Sequence, residues 1–152
     1  MSSDVRILSQ PFDATAEIDH FAGSHARSGA LVSFLGQVRS DASDSAQVEA
    51  LELRHYEPLT LAGMRQQAEL ARERWDLEGL LVIHRVGCMV PRDAIVLVAA
   101  AARHRRDAFA ATDFVMDHLK SDAWFWKREK AGGHWRWVEP RDVDFADLAR
   151  WQ

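Results

Sequence analysis

The sequence lacks the features that mark secreted and membrane-spanning proteins. Its single cysteine cannot form an internal disulfide, which agrees with a reducing compartment. No apolar run at the N-terminus is long enough for a signal peptide, and no later run approaches the roughly 20 apolar residues of a membrane span. We therefore expect a soluble cytoplasmic protein.

The motifs that indicate a metal or a common cofactor are also missing. The chain has seven histidines, but no pair of histidines or cysteines stands at His-x-x-x-His or Cys-x-x-Cys spacing. There is no glycine-rich phosphate loop and no Gly-x-Ser-x-Gly. We therefore expect neither a metal nor a bound cofactor, and hydrolase or nucleotidyl-transfer chemistry has no support.

The charge balance disfavours a dedicated nucleic-acid-binding protein. Nineteen Lys and Arg residues against 23 Asp and Glu give a net charge of −4, whereas such proteins are usually basic. Hydrophobic residues make up 47% of the 152 residues, which is typical of a globular chain. We expect one domain that spans residues 1–152, with no repeat and no linker.

Helical and strand patterns are interspersed along the chain, and the alternating strands favour an antiparallel or mixed sheet. Helices are predicted after Asp13, from a cap at Thr60 to Trp75, after His104 and from either Asp142 or Asp144. Gly87–Asp93 is predicted as a turn, and Gly132-Gly133 as the turn of a hairpin. Strands are predicted at Val5–Leu8, Ala30–Leu35 (a buried strand), Val48–Tyr56, Leu80–Val86, Ala94–Ala102, Phe125–Glu129 and His134–Val138. The fold class is therefore α+β, with flanking helices and a C-terminal β-hairpin.

The segment from His104 to Glu129 carries the candidate site. His104, Arg105 and Arg106 stand at a predicted strand-to-helix junction, where free backbone N–H groups favour an anion. A solvated basic turn would show the same pattern, so that alternative stays open. The helix that follows is predicted to bury one face and to end near Lys120; that face comprises Phe109, Val115, Met116 and Leu119.

A second lysine follows on the next predicted strand. Strand periodicity places Phe125, Lys127 and Glu129 on one face. If the ends of these elements converge, they form an anion pocket with two lysines, although two surface lysines remain the alternative. Because Glu129 shares the face of Lys127 and would keep it charged, we expect Lys120 to lose its proton and Lys127 to be the fixed cation.

Six short motifs, taken in order over roughly residues 5–151, resemble the catalytic (large) subunit family of molybdopterin synthase. The motifs are Phe34-x-Gly36-x-Val38-Arg39, Leu53-x-His55-Tyr56, Ile83-His84-Arg85-Val86-Gly87, His104-Arg105, Phe114-x-Met116-Asp117-x-Leu119-Lys120 and Phe125-Trp126-Lys127-Arg128-Glu129. Each motif is weak alone, and together they are specific. The resemblance implies an α/β-hammerhead fold and a sulfurtransferase of molybdenum cofactor biosynthesis.

The resemblance also implies partners and a reaction. Two large subunits form a homodimer, and each carries a small ubiquitin-like sulfur carrier, which makes a heterotetramer. Sulfur arrives as a thiocarboxylate on the carrier's Gly-Gly tail, and two sulfurs convert cyclic pyranopterin monophosphate, a small-molecule pterin phosphate, into molybdopterin. This chain has no ubiquitin-like segment, so we expect the carrier to be a separate chain.

The family's site residues map onto positions of this chain. Its essential lysines match Lys120 and Lys127, which the resemblance makes catalytic. Whether Arg141 acts within its own chain or across the dimer is left open. The implied substrate-binding residues are Arg39, His104, Arg105, Phe34, Met116, Glu129 and Arg141.

The chain departs from the family pattern at Trp124, Cys88 and Arg92, which affects loop shape and no catalytic residue. Two rival functions remain. One is a module that binds single-stranded nucleic acid through the aromatic, basic hairpin from Trp124 to Trp137. The other is an inactive homologue that serves as a scaffold, against which the intact lysines argue.

Overall fold

The structure is a computed structural model that describes residues 3–42, 44, 46–121 and 124–152. Within these residues the chain forms two four-stranded sheets and four helices. The strands are β1 (Ser3–Leu8), β2 (Ala30–Gln37), β3 (Val48–His55), β4 (Leu77–Arg85), β5 (Gly87–Met89), β6 (Ala94–Ala102), β7 (Phe125–Ala131) and β8 (His134–Val138). The helices are α1 (Ala14–Ser24), α2 (Leu59–Arg74), α3 (Arg105–Ser121) and α4 (Asp142–Ala149). This arrangement confirms the α+β class.

The first sheet has the strand order β1-β4-β6-β2 and is covered on both faces. β1 runs parallel to β4, and the other neighbours are antiparallel, so the sheet is mixed. Val82 and Val98 face α2 and α3, whereas Ile83 and Leu97 face Phe21 of α1. Because both faces are buried, β4 and β6 consist of nearly continuous apolar runs.

The second sheet has the order β5-β3-β7-β8 and is antiparallel throughout. Its inner face packs through Leu51 and Leu53 of β3 on Val38, which follows β2. Ile95 and Phe125 pack against this cluster and against the core of the first sheet. These contacts fix β7, which carries Lys127, against the main body of the fold.

The predicted hairpin is confirmed in its turn and its register. Gly132 and Gly133 have φ angles of 59° and 78°, which only glycine adopts without strain. The two-residue loop pairs Ala131 with His134 and therefore pairs Glu129 with Arg136.

Two expectations about apolar residues are wrong. Ala30–Leu35 forms a strand, but β2 lies at the sheet edge and leaves Leu31 and Leu35 exposed. An apolar run does not distinguish an edge strand from a central one. Phe109 is 61% exposed, because α3 faces the sheet with Ala108 and Ala111 instead.

Two local expectations also fail. α2 begins at Leu59, and Thr60 does not cap it, since the Thr60 hydroxyl accepts from the Tyr56 N–H (2.9 Å) and donates to the Trp124 carbonyl (2.9 Å). Gly87–Asp93 is not a turn throughout, because it begins with the short strand β5. This strand pairs with β3 and forms one edge strand of the second sheet. Among the described residues, none of the helices has the length and apolarity needed to cross a membrane.

Candidate active site

The candidate site lies where the end of α3, the strand β7, the helix α4 and the segment after β2 approach one another. Lys127 occupies the inner face of β7, where its register neighbours are Leu53 of β3 and Val138 of β8. Its side chain is half-buried, whereas Lys120 in the last turn of α3 is exposed. The charge of Lys120 acts on Lys127, so the two lysines that the sequence singled out lie near each other.

The pKa of Lys127 lies below its ordinary value of 10.5. Burial is the largest cause, and the positive charges of Lys120 and Arg39 lower it further. Glu129 and Asp144 act in the opposite direction but do not compensate. This direction runs against the expectation that Glu129 keeps Lys127 the more firmly charged lysine: burial acts on Lys127, whereas Lys120 is exposed.

Both acids near Lys127 are bound to arginines. The Glu129 carboxylate accepts from Arg136 Nε at 3.0 Å. Asp144 accepts from the backbone N–H of Arg141 at 2.9 Å and contacts its guanidinium at 3.4 Å. Among the described residues, no carboxylate forms an ion pair with Lys127. The negative charge that could stabilise the Lys127 ammonium is thus held by arginines.

A buried histidine supports β7 from the first sheet. The ring of His84 in β4 stacks on Phe125, with centroids 3.9 Å apart and an interplanar angle of 18°. Its Nδ1 donates to the Arg85 carbonyl at 3.0 Å, which leaves Nε2 as an acceptor in the neutral ring. Burial lowers the pKa of His84 to about 4, with smaller contributions from the charges of Lys120 and His55. His84 is therefore neutral near pH 7 and adds no charge beside the lysines.

Two more predicted residues lie on the elements that form the site. Met116 is buried on α3 one helical turn before Lys120, so the two side chains share a face. Arg39 is exposed directly after β2, close enough for its charge to act on Lys127.

The remaining predicted residues lie toward the surface. Phe34 stands on the edge strand β2 and is 41% exposed. Arg141 precedes α4, and its side chain is 74% exposed.

His104 and Arg105 do not join this site within one chain. Arg105 begins α3 and Lys120 lies in its last turn, so the helix separates them by about 22 Å at 1.5 Å per residue. The two ends of α3 therefore do not converge within one chain, because one helix cannot bring its own ends together. His104 and Arg105 are exposed at the opposite end of α3.

Sequence reasoning missed four residues that shape the site: His84, His55, Arg136 and Asp144. His55 and His84 lie in two of the six family motifs, but the sequence pattern assigns neither of them a function. The pairing of Arg136 with Glu129 could have been derived from the two-residue loop, which fixes the hairpin register. Asp144 carried no such signal, because its position depends on how α4 docks through the bond from Ser121 Oγ to its carbonyl, at 2.7 Å.

The positions that depart from the family pattern are accommodated in the fold. Trp124 packs flat on α2 at Gly63, where an added Cβ would lie 2.6 Å from the indole. Arg92 has φ 78°, a conformation that glycine adopts without strain. Cys88 is exposed on β5 and donates from Sγ to Glu52 at 3.5 Å. None of the three changes a residue near Lys127.

Fold and site together define a class: a two-sheet α+β protein with a half-buried lysine near two further cations. Comparison with known proteins makes this specific. The profile of the family described as "MoaE protein" matches residues 7–122. The chain therefore belongs to the MoaE protein family.

Individual relatives support this assignment. The molybdopterin synthase catalytic subunit of Ralstonia nicotianae is 46% identical over 147 residues, which cover 97% of this chain and 83% of that protein. The solved molybdopterin biosynthesis MoaE protein from Burkholderia ambifaria is 42% identical, with a TM-score of 0.81 and coverage of 99% and 98%. The fold also recurs in a protein–protein complex of subunits 1 and 2 of molybdopterin-converting factor from Helicobacter pylori (17% identity, TM-score 0.74, coverage 90% and 91%).

Proposed function

We propose that this chain is the catalytic subunit of a molybdopterin synthase. It transfers two sulfurs from a thiocarboxylated ubiquitin-like carrier to cyclic pyranopterin monophosphate. The observation that carries the proposal is the half-buried Lys127 beside Lys120 and Arg39, in a chain of this family. The single cysteine fits a reducing compartment, so the reaction is assigned to the cytoplasm.

The two lysines have different tasks in this proposal. The unprotonated amine of Lys127 accepts a proton from the water that attacks the carrier's carbonyl carbon. The C–S bond breaks as the C–O bond forms, which leaves the carrier's carboxylate and passes the sulfur to the substrate. Lys120 supplies a positive charge that stabilises the anionic thiocarboxylate and the carboxylate that remains on the carrier. Both tasks need the carrier's tail to reach the inner face of β7.

The phosphate of the substrate requires further cations. Arg39 supplies one from the same chain, and guanidinium groups bind phosphate with two parallel hydrogen bonds. His104 and Arg105 are too far along α3 to reach the lysines of their own chain. They contribute only if a second copy of the chain presents the start of its α3 to this site, so the proposal includes a homodimer. Arg141 is proposed to bind the substrate together with them.

The hairpin gives little support to single-stranded nucleic acid as the ligand. Its outer face carries Arg128, whose guanidinium is bound to Glu52 at 3.1 Å and lies 4.5 Å from the ring centroid of Trp135. That cation and that aromatic ring already contact each other, which leaves fewer free groups for phosphates and bases.

The decisive experiment mixes the protein with a thiocarboxylated carrier and cyclic pyranopterin monophosphate and measures the dithiolene product. Carrier with an ordinary C-terminal carboxylate is the matched control and should give none. Deleting the carrier's terminal glycines should weaken binding, whereas Cys88→Ser in this chain should not. Absence of product, together with tight binding of single-stranded RNA on filters, would replace the proposal with the nucleic-acid module.

A further inference from the structure

The charges around Lys127 leave one arginine without a role in the proposed reaction. Arg136 lies on β8 directly opposite Glu129, as fixed by the two-residue hairpin loop. Its Nε and one terminal nitrogen lie 3.0 and 2.9 Å from the same Glu129 oxygen. The guanidinium also reaches Asp44, at 2.7 and 3.1 Å. Arg136 thus ties the segment before β3 to both strands of the hairpin.

Glu129 is the acid for which Lys127 and Arg136 compete. Lys127 and Glu129 are two residues apart on β7 and therefore point to the same side of the sheet. Glu129 is mostly buried, with 13% of its side chain exposed, so its charge is only partly screened by water. Its carboxylate nevertheless contacts Arg136, and the described part of the chain shows no ion pair between it and Lys127.

We propose that Arg136 is a positioning residue of this site, which holds the Glu129 carboxylate away from Lys127 and so leaves the Lys127 amine free to lose its proton. Removing the guanidinium would release the carboxylate toward the Lys127 ammonium, which lies on the same face of β7 and on which the charge of Glu129 already acts. Lys127 would then keep its proton at the pH at which the native protein gives it up.

The charges that act on Lys127, other than Glu129, do not depend on Arg136. Asp144 keeps its own partner, Arg141. The charged groups that act on Lys127 and Arg136 are Lys120 of α3, Arg39 after β2, Glu129 of β7, Asp144 of α4 and Asp44 before β3. Removing Arg136 also frees Asp44, but Asp44 is not among the groups that act on Lys127, so the effect on Lys127 should pass through Glu129.

The test measures Lys127 directly and needs neither carrier nor pterin. The inference rests on the proposed function only in assuming that Lys127 takes part in the reaction. The positioning role of Arg136 and the proposed function can therefore fail separately. Competitive acetylation with acetic anhydride at graded pH, resolved by peptide mass spectrometry, gives the pKa of Lys127 in the folded protein. Arg136→Gln should raise it by about one unit, which slows acetylation about tenfold at a pH below the pKa. The double variant R136Q/E129Q should return it to the parent value or below.

Two further variants separate positioning from folding. Arg128→Gln removes an arginine from the same hairpin, but from the opposite face, where it pairs with Glu52, and should leave Lys127 unchanged. Arg136→Lys keeps a cation opposite Glu129, so the pKa of Lys127 should stay close to its value in the parent protein. This variant keeps the test usable even if R136Q is poorly folded. An unchanged Lys127 in R136Q would overturn the inference, and so would a shift that E129Q does not reverse.

Discussion

The buried His84 predicts how the stability of this protein depends on pH. The pKa of this ring falls from the ordinary 6.5 to about 4 in the folded protein, mainly because burial disfavours the charged form. Between these two values the unfolded chain binds a proton at His84 and the folded chain does not. Stability must therefore fall as pH drops from 6.5 toward 4, by about 1.4 kcal/mol per pH unit, or about 3 kcal/mol across the whole interval.

The substitution that isolates this effect is His84→Phe. A phenyl ring keeps the stack on Phe125 but cannot be protonated, although the Arg85 carbonyl loses its donor. The variant should be less stable at pH 7.5, by about 1–3 kcal/mol, yet its stability should change less between pH 6.5 and 4.5. Urea unfolding at several pH values measures both quantities.

This pH interval avoids the strongly perturbed carboxylates. Arginine partners lower the pKa of Glu52 and of Asp44 to about 2, so their stabilising contribution is lost only as pH falls from about 4 toward 2. His55→Gln is the matched control, because His55 also lies beside Phe125 but contacts the exposed Glu57 at 3.2 Å. If the free energy of unfolding changed equally with pH in the parent and in His84→Phe, His84 would not be the group that titrates.

Three further predictions concern the site and its support. Lys127→Arg should abolish single-turnover sulfur transfer, because arginine stays protonated, whereas Lys120→Arg should keep a measurable rate; the opposite order would return the proton-transfer role to Lys120. Arg39→Ala should raise the pKa of Lys127, so that the acid limb of the pH–rate profile moves to higher pH. It should also weaken substrate binding about ten- to hundredfold in calorimetry. An unchanged acid limb and an unchanged substrate affinity would remove Arg39 from the site. Asp117→Ala should cost about 1–3 kcal/mol in urea unfolding, because Trp151 Nε1 loses its acceptor at 2.6 Å; unchanged stability would contradict that anchor.

Most of the fold could be predicted because its elements have clear periods and clear boundaries. The alternation of Leu51 and Leu53 with polar residues predicted β3, and two glycines predicted the hairpin turn. What failed was the environment of each element. The apolar run of β2 looks like a central strand, and only the complete strand order shows that it lies at an edge. Phe109 fits a helical face, but alanines allow α3 to pack more closely on the sheet.

The sequence could predict the two lysines of the candidate site but not their electrostatics. Spacing and resemblance selected Lys120 and Lys127, and the structure brings them close. Lys127 pairs with β3, which is distant in sequence, and follows Phe125 on the same face of β7. Phe125 packs against the core in a way that no local sequence pattern shows. Glu129 was assigned to Lys127 because they share a strand face, whereas the cross-strand neighbour Arg136 holds its carboxylate.

The groups around Lys127 share one electrostatic consequence. His84 is buried and neutral, so it supports β7 without placing a further charge next to Lys120. Both acids that could stabilise the Lys127 ammonium are bound to arginines, and the nearby cations disfavour that ammonium. In the proposed reaction the substrate phosphate and the thiocarboxylate are anions, and Lys120 and Arg39 supply positive charge for them. Those two cations also lower the pKa of Lys127, after burial as the largest cause, so substrate recognition and the perturbed lysine share part of their physical origin.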